Sequence, residues 1–167
     1  MRFAAFIVDF HASKNFPNGE TFLMALKCQW PEFQPDDQNY DVGYEKIYVY
    51  QTSAGLIQLL ACCNGGLTLR FAYSNPRSVY MPFCAITEWL MRSYGFTCHL
   101  HSEPAPIQQG VSREITEPEQ VCATLIPSMD YNRRLWQGDA GTEEEAILRP
   151  GHAIMRFITP QLLELTP

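Results

Sequence analysis

Residues 46–73, KIYVYQTSAGLIQLLACCNGGLTLRFAY, decide the fold of this chain. They contain three runs of strand length, rich in branched, aromatic and other apolar side chains: 46–51, 56–62 and 67–73. Thr-Ser-Ala-Gly separates the first two runs and Asn-Gly-Gly the last two, and Asn-Gly is the strongest short-range hairpin signal. The stretch therefore predicts an antiparallel meander of three strands, with Cys62 and Cys63 at the mouth of its second hairpin.

One strand and one helix are predicted before the meander. Residues 2–10, RFAAFIVDF, are apolar and short, which favours a buried strand. Residues 20–29 place apolar side chains on one helical face, and Pro31 ends that helix because proline cannot continue it. Residues 31–44 carry two prolines and no periodicity, so we predict a loop there.

A helix and a further strand are predicted after the meander. Pro82 is tolerated only in the first turn of a helix, and Gly95 is typical of a helix end, so the helix begins near Met81. Its apolar stripe contains Phe83, Ile86 and Leu90. Residues 96–103, FTCHLHSE, alternate between apolar and polar side chains, which predicts a half-buried strand.

The last third of the sequence predicts mostly helix. Thr-Glu-Pro-Glu at residues 116–119 is a capping box, and an apolar stripe follows it. We expect Pro127 to break or kink that helix, and a second short helix to end at Gly138. A further capping box lies at residues 142–145.

These elements predict an α+β fold: a ferredoxin-like βαββαβ core with an added, mostly helical C-terminal third. A chain of 167 residues is long enough for one ordinary domain and short for two. We therefore expect a single domain over residues 1–167, in which residues 1–103 form the sheet core and residues 111–167 pack on it. Many unrelated functions occur on this fold, so the fold alone indicates no chemistry.

Charge and cysteine content exclude several classes of partner. The 12 basic and 18 acidic residues give a net charge of −6, the opposite of what a phosphate-binding surface needs, so nucleic acid is not expected. No apolar run is long enough to cross a membrane. The six cysteines lie inside apolar segments and are expected to be reduced and buried, which points to the cytoplasm.

One pattern has metal-ligand character: His99, His101 and Glu103 fall on a single face of a predicted strand. Asp9 and His11 share a face at the end of the first strand. Antiparallel pairing of the two strands is expected to put these two groups at opposite ends of the sheet. The alternative interpretation is a solvated strand face, because His-x-His is a short pattern.

A cysteine nucleophile is a second chemical possibility. Cys62 or Cys63 at the hairpin mouth, or Cys84 near a helix start, would act with one of the four histidines as base. The alternative is that these thiols are buried and inert. No phosphate loop, dinucleotide fingerprint, nucleophile elbow, CxxC pair or HExxH motif is present.

Tyrosines and arginines suggest a recognition surface instead. Tyr48 and Tyr50 share a strand face opposite Ile47 and Val49, so one set faces the core. The other set is either exposed or covered by helices or by the C-terminal third. Exposed tyrosines beside arginines are typical of protein-binding surfaces. The arginine candidates for such a surface are Arg133 and Arg134.

Two functional hypotheses follow. The first is a non-catalytic cytoplasmic protein-binding module of the small acidic inhibitor or immunity type, without a cofactor, whose partner is another protein or a second copy of itself. The second is a small metal- or thiol-dependent enzyme that uses the strand face of His99, His101 and Glu103. Metal analysis of the purified protein discriminates between them.

Overall fold

The predicted meander lies within a six-stranded antiparallel sheet. The structure, a computed structural model, describes residues 5–11, 13–17, 19–36, 44–52, 55–62, 65–72, 75, 77–103 and 114–140. The meander consists of β3 (Tyr44–Thr52), β4 (Gly55–Cys62) and β5 (Leu67–Ala72), paired antiparallel in chain order. Gly65 follows β4 with φ of 82°, a conformation that favours glycine.

Three more strands complete the sheet: β1 (Ala5–Phe10), β2 (Phe33–Pro35) and β6 (Cys98–Glu103). The spatial order is β2-β3-β4-β5-β1-β6, so β1 is a central strand as its apolar sequence predicts. Strand β2 lies within residues 31–44, so the prediction of a loop there was wrong for these three residues. A three-residue edge strand is too short to show periodicity, and its Pro35 is tolerated at a sheet edge.

Three helices are described: α1 (Gly19–Gln29), α2 (Tyr80–Tyr94) and α3 (Pro118–Ala140). A 3-10 turn, Arg77–Val79, leads into α2. Helix α2 ends as predicted at Gly95, which is left-handed with φ of 68°. No helix in the described part of the chain is long and apolar enough to cross a membrane.

Helix α3 continues through Pro127 to Ala140, so the predicted break and the second short helix ending at Gly138 were wrong. The alternative, a kink at Pro127, stays a prediction. Proline lacks the backbone N–H for one helical hydrogen bond, so it is unfavourable in the interior of a helix. Leu125 and Met129, on either side of it, are both fully buried. Packing of this apolar stripe therefore outweighs the local preference of one residue. The predicted capping box at residues 142–145 lies outside the described residues.

The fold class is mixed α/β, as predicted at that coarse level, but the four-stranded ferredoxin-like order is not the observed one. In the chain, α1 is followed by four strands before α2. The predicted meander accounts for three of these strands, and the ferredoxin-like plan has only two. The additional strand β2 pairs with β3 at the sheet edge, with Phe33 opposite Tyr50. The C-terminal third contributes α3, which packs against α2.

The two faces of the sheet differ in chemistry. The face that we call the helix face carries Phe6 and Phe71, which contact Phe83 of α2 edge-to-face at ring-centroid distances of 6.1 and 5.1 Å. Helix α1 packs on the same face, where Phe22 contacts Tyr48 at 6.0 Å. Because side chains alternate along a strand, the residues between these aromatics lie on the opposite face. That face positions the candidate site.

Candidate functional site: the histidine face

The pairing of β1 with β6 brings together the polar side chains at the end of one strand and the start of the other. Asp9 lies directly opposite His99, and the next pair along, Phe10 and Cys98, points to the helix face. His11 extends the pairing, since its backbone N–H donates to the carbonyl oxygen of Thr97 at 2.9 Å. We call the surface formed by Asp9, His11, Thr68, His99 and His101 the histidine face.

Asp9 is the centre of a hydrogen-bonded chain on this face. Its Oδ1 accepts a hydrogen bond from the Thr68 hydroxyl at 2.6 Å, and its Oδ2 lies 2.9 Å from Nε2 of His101. The Thr68 hydroxyl is also 3.9 Å from the sulfur of Cys62. The carboxylate therefore holds the His101 ring with its Nε2–H directed at Asp9, which leaves Nδ1 as the nitrogen able to accept a proton.

His11 and His99 form a second contact within the same cluster. Nε2 of His11 lies 2.5 Å from Nδ1 of His99, and the two rings meet edge-to-face at a centroid distance of 4.6 Å. One ring must donate and the other accept, because a hydrogen bond between two imidazoles needs one protonated nitrogen. The pair can therefore hold one proton between the rings.

Solvent reaches the cluster at the β1–β6 end of the face. The side chain of Asp9 is 43% exposed and that of His101 is 55% exposed. On the same face, the β3–β4 half is buried, with Val49 at 8% and Leu60 at 0% exposure. The cluster is thus a polar, accessible site beside a buried apolar surface, which is the general character of a small-molecule site.

The expectation that antiparallel pairing separates the two polar groups was wrong. Strand β6 begins only at Cys98, so His99 is an early residue of β6 and meets Asp9 at the end of β1. Glu103 is different: it lies at the far end of β6, opposite Ala5, and its side chain is outside the described part. The structure therefore brings together four of the five residues that the sequence singled out.

The predicted metal set of His99, His101 and Glu103 stays a prediction, because the side chain of Glu103 lies outside the described residues. Among the described residues, no group of three or more histidine, cysteine, aspartate or glutamate side chains is positioned to hold a metal ion. Two histidine nitrogens bound at about 2.0–2.1 Å to one tetrahedral zinc stand roughly 3.3 Å apart. His11 and His99 are closer than that, at hydrogen-bonding distance. The geometry favours shared protons over a shared metal.

The cysteines that sequence patterns proposed as nucleophiles lie apart from one another. Cys62 neighbours Thr68 on the histidine face, Cys63 lies outside the described residues, and Cys84 is on α2, on the other side of the sheet. Cys98, which precedes His99 of the histidine face in sequence, is fully buried. Burial, with Asp9 and Glu114 nearby, raises the pKa of Cys98 to about 12, so this thiol is not a nucleophile at neutral pH.

The predicted tyrosine surface needs correction. Tyr48 and Tyr50 are 3% and 7% exposed, because they point to the helix face and pack against Phe22 and Phe33. The opposite set, Ile47 and Val49, is buried as well. The predicted exposure of Tyr48 and Tyr50, on which their binding role depended, was therefore wrong.

The predicted arginine contribution to that surface is a separate matter. Arg133 and Arg134 belong to α3, but their side chains lie outside the described part. Their role in binding stays a prediction.

Sequence patterns alone missed Thr68 of the histidine face and Arg70, which lies beside it on the same side of the sheet. Both belong to β5, where Thr68 pairs with Asp9, and Ile7 pairs with Arg70 on one side and His101 on the other. The signal was present in the alternation Leu-Thr-Leu-Arg-Phe-Ala of residues 67–72, whose polar members share one face. The pairing of β5 with β1 was the missing information.

Comparisons of this chain with protein-family models, with curated proteins and with solved structures found no match. The geometry of the histidine face is accordingly the basis for the functional proposal.

Proposed function

We propose that the chain is a small metal-independent enzyme whose acid–base site is the histidine face. The observation that supports this is the presence of a carboxylate–imidazole pair and an imidazole–imidazole pair side by side on one face of the sheet. Asp9 orients His101 at 2.9 Å, and His11 contacts His99 beside it. A carboxylate that fixes one histidine tautomer next to a proton-sharing pair is an arrangement suited to general acid–base catalysis.

The two parts of the cluster have complementary roles in this proposal. His101 acts as the base through Nδ1, because its Nε2–H is directed at Asp9. In hydrolysis His101 takes a proton from the attacking water, and the His11 and His99 pair, in its singly protonated imidazolium–imidazole form, gives its extra proton to the leaving group. His99 and His101 are two residues apart on one strand face, or roughly 7 Å, so one small substrate reaches both.

Arg70 suggests the substrate class, a small anionic ester such as a phosphate ester. It lies on the same face, in a row with Ile7 and His101 across β5, β1 and β6. Two strand spacings put its backbone about 10 Å from that of His101. A guanidinium at that distance binds a negatively charged group while the ester bond lies over the histidines.

The test is hydrolysis of chromogenic esters by the purified full-length chain in the presence of EDTA. The probes are 4-nitrophenyl phosphate, bis(4-nitrophenyl) phosphate and the neutral ester 4-nitrophenyl acetate. We expect turnover of a phosphate ester that EDTA does not abolish. His101→Gln and His99→Gln should each lower kcat/KM by roughly 10²- to 10⁴-fold. Arg70→Gln should raise KM for the charged esters more than it lowers kcat.

Ser93→Ala is the matched control, because Ser93 is an exposed residue of α2 on the other side of the sheet. It should leave kcat/KM unchanged. Turnover that survives both histidine substitutions, activity that is lost with EDTA, or no turnover of any of the three esters contradicts the acid–base proposal. Turnover of the neutral ester alone contradicts the anionic substrate class.

The second candidate function is the non-catalytic protein-binding module, of the small acidic inhibitor or immunity type. The observation that favours it is the exposure of two large apolar side chains, Met24 at 71% and Met81 at 76%. Methionine is an adaptable contact residue at protein-binding surfaces. The partner we propose is a basic protein, matching the net charge of −6, or a second copy of the chain, and neither a nucleic acid nor a membrane.

Of the two partners proposed for this second candidate, a second copy of the chain can be tested directly with purified protein. Light scattering coupled to size-exclusion chromatography should give a mass above the 19.1 kDa of one chain if a second copy is the partner. Met24→Glu and Met81→Glu should then return it to one chain, whereas Lys27→Gln should not. A single-chain mass at all concentrations excludes the second copy and leaves the basic protein.

Two further proposals concern setting and architecture. We propose that the protein acts in the reducing cytoplasm, which is supported by Cys28, Cys84, Cys98 and Cys122, none of which forms a disulfide. We also propose that β6, β1, β5 and β4 with α1 and α2 derive from a ferredoxin-like plan to which β2 and β3 were added. The support is their spatial order, β6-β1-β5-β4, with one helix following β1 and one following β5.

A further inference from the structure

Two cysteines face each other where α2 packs against α3. The helices run antiparallel, as two contacts show: the Tyr80 hydroxyl donates to the sulfur of Met129 at 2.6 Å, and Arg92 contacts Glu119 at 2.6 Å. Cys84 lies between Tyr80 and Arg92 on α2, and Cys122 lies between Glu119 and Met129 on α3. Their thiols are hydrogen-bonded to each other.

Both thiols are accessible enough to react. Cys84 and Cys122 are partly exposed, whereas Cys98 in the core is fully buried. The hydrogen bond from Cys84 lowers the pKa of the Cys122 thiol, against the opposing effects of burial and of Glu88 and Glu119. The same hydrogen bond, together with burial, raises the pKa of Cys84. Cys122 is therefore the thiol that ionises first and attacks an oxidant.

We propose that Cys84 and Cys122 are a redox-active pair that forms a reversible disulfide between α2 and α3 when the protein meets a peroxide. The pair lies on the helix side of the sheet, so this inference is independent of the histidine face. The geometry that carries it is the antiparallel packing of α2 against α3, in which the Tyr80–Met129 and Arg92–Glu119 contacts lie on either side of both cysteines. The two thiols interact across this packing.

The chemistry balances with hydrogen peroxide as the oxidant. The Cys122 thiolate attacks one peroxide oxygen, the O–O bond breaks, and Cys122 becomes a sulfenic acid as hydroxide leaves. The Cys84 sulfur then attacks the sulfenic sulfur, its proton goes to the leaving hydroxide, and water is released. Two thiols and one hydrogen peroxide thus give one disulfide and two waters, and a dithiol reductant reverses the reaction.

Thiol counting and peptide mapping of the full-length chain test the proposal. Reduced protein, alkylated after denaturation, should show six reactive thiols, and protein treated with hydrogen peroxide should show four. Trypsin cuts after Arg77, Arg92, Arg113 and Arg133, so residues 78–92 and 114–133 each contain one cysteine. We expect these two peptides to be joined in the oxidised sample and separate after reduction.

Matched serine variants identify the pair. Cys84→Ser and Cys122→Ser should each keep all five remaining thiols free of disulfide after the same treatment. Cys28→Ser, at an exposed cysteine of α1, should still lose two thiols. Oxidised wild type in which the two peptides stay separate, whether Cys122 is unmodified, overoxidised or joined to another cysteine, overturns the proposal. That readout needs no variant to fold.

Discussion

The two faces of the sheet are formed by the same strands but differ in burial and in side-chain chemistry. On the helix face, Phe6, Phe71 and Phe83 have no exposed surface and form a cluster of edge-to-face aromatic contacts. One residue further along the same strands, the histidine face carries partly exposed ionisable groups. Cys98 is fully buried and its neighbour His99 is half-buried. Strand alternation therefore separates the stabilising core from the candidate site by a single residue.

The largest expected difference between the faces is in stability. Leu90 of α2 is fully buried in the core that covers the helix face. Leu90→Ala removes this buried side chain and leaves a cavity, which should lower the free energy of unfolding by about 2–5 kcal/mol. Denaturant titration measures it. Met24→Ala, at a residue 71% exposed on α1, is the control and should change stability by less than about 0.5 kcal/mol.

A loss smaller than about 1 kcal/mol at Leu90 would place this side chain outside the core. It would also contradict the orientation of α2 that sequence periodicity and structure share. The two faces could then no longer be distinguished as core and site.

The pH dependence of stability offers a second comparison of the two faces, because Cys98 is the fully buried neighbour of the half-buried His99. Its pKa is raised from 9.0 to about 12 by burial first, and then by Asp9 and Glu114. This thiol stays protonated in the folded protein over a pH range in which it ionises in the unfolded chain. The stability that the buried, protonated thiol contributes is therefore fully present below pH 9 and is lost as pH rises toward 12. Above pH 9, wild type should lose about 1.4 kcal/mol of stability per pH unit more than Cys98→Ala.

The measurement is denaturant unfolding of both proteins at intervals from pH 8 to pH 10.5. Other titrating groups contribute equally to the two curves, so only their difference is interpreted. Curves that stay parallel across this range would show that the thiol is as well solvated in the folded state as in the unfolded chain.

Much of the sheet was predictable because its signals are local. Asn64-Gly65 between two apolar runs specified a hairpin, and Gly95 specified the end of α2 with its positive φ. The signals that failed were those that tertiary packing overrides. Strand β2 forms because Phe33 is buried and pairs with β3. Helix α3 continues through Pro127 because its apolar residues before and after the proline are buried.

The candidate site was predictable residue by residue, but not as an assembly. Asp9, His11, His99 and His101 were recognisable from alternation within their own strands. Whether they meet depends on the register of β1 against β6, which is set where β6 begins, and a shift of one residue would move every side chain to the other face. The alternation of residues 67–72 puts Thr68 on a polar strand face, but only the pairing of β5 with β1 places it beside Asp9.

The hydrogen bond between Asp9 and Thr68 offers a smaller effect on the histidine face. A double-mutant cycle of Asp9→Ala and Thr68→Val should give a coupling energy of about 1 kcal/mol, because the 2.6 Å bond is charge-assisted but the carboxylate is 43% exposed. Asp9→Ala combined with Thr124→Val is the control. The Thr124 hydroxyl bonds the carbonyl of Gln120 within α3, so its coupling to Asp9 should be near zero. Equal coupling in both cycles would mean that the first reports general destabilisation.

The smallest expected effect is that of metal on the histidine face. If the cluster shares protons, zinc in excess should leave the melting temperature of the purified protein unchanged within error, and His99→Ala/His101→Ala should respond identically. The reason is the contact between His11 and His99, whose nitrogens are closer than two ligands of one zinc ion. A ligand that binds only the folded state raises the melting temperature with its concentration. A zinc-dependent rise in wild type that the double variant lacks, with about one equivalent of metal copurifying, would show that the rings separate to bind metal. It would replace acid–base catalysis by metal-assisted chemistry at the same residues.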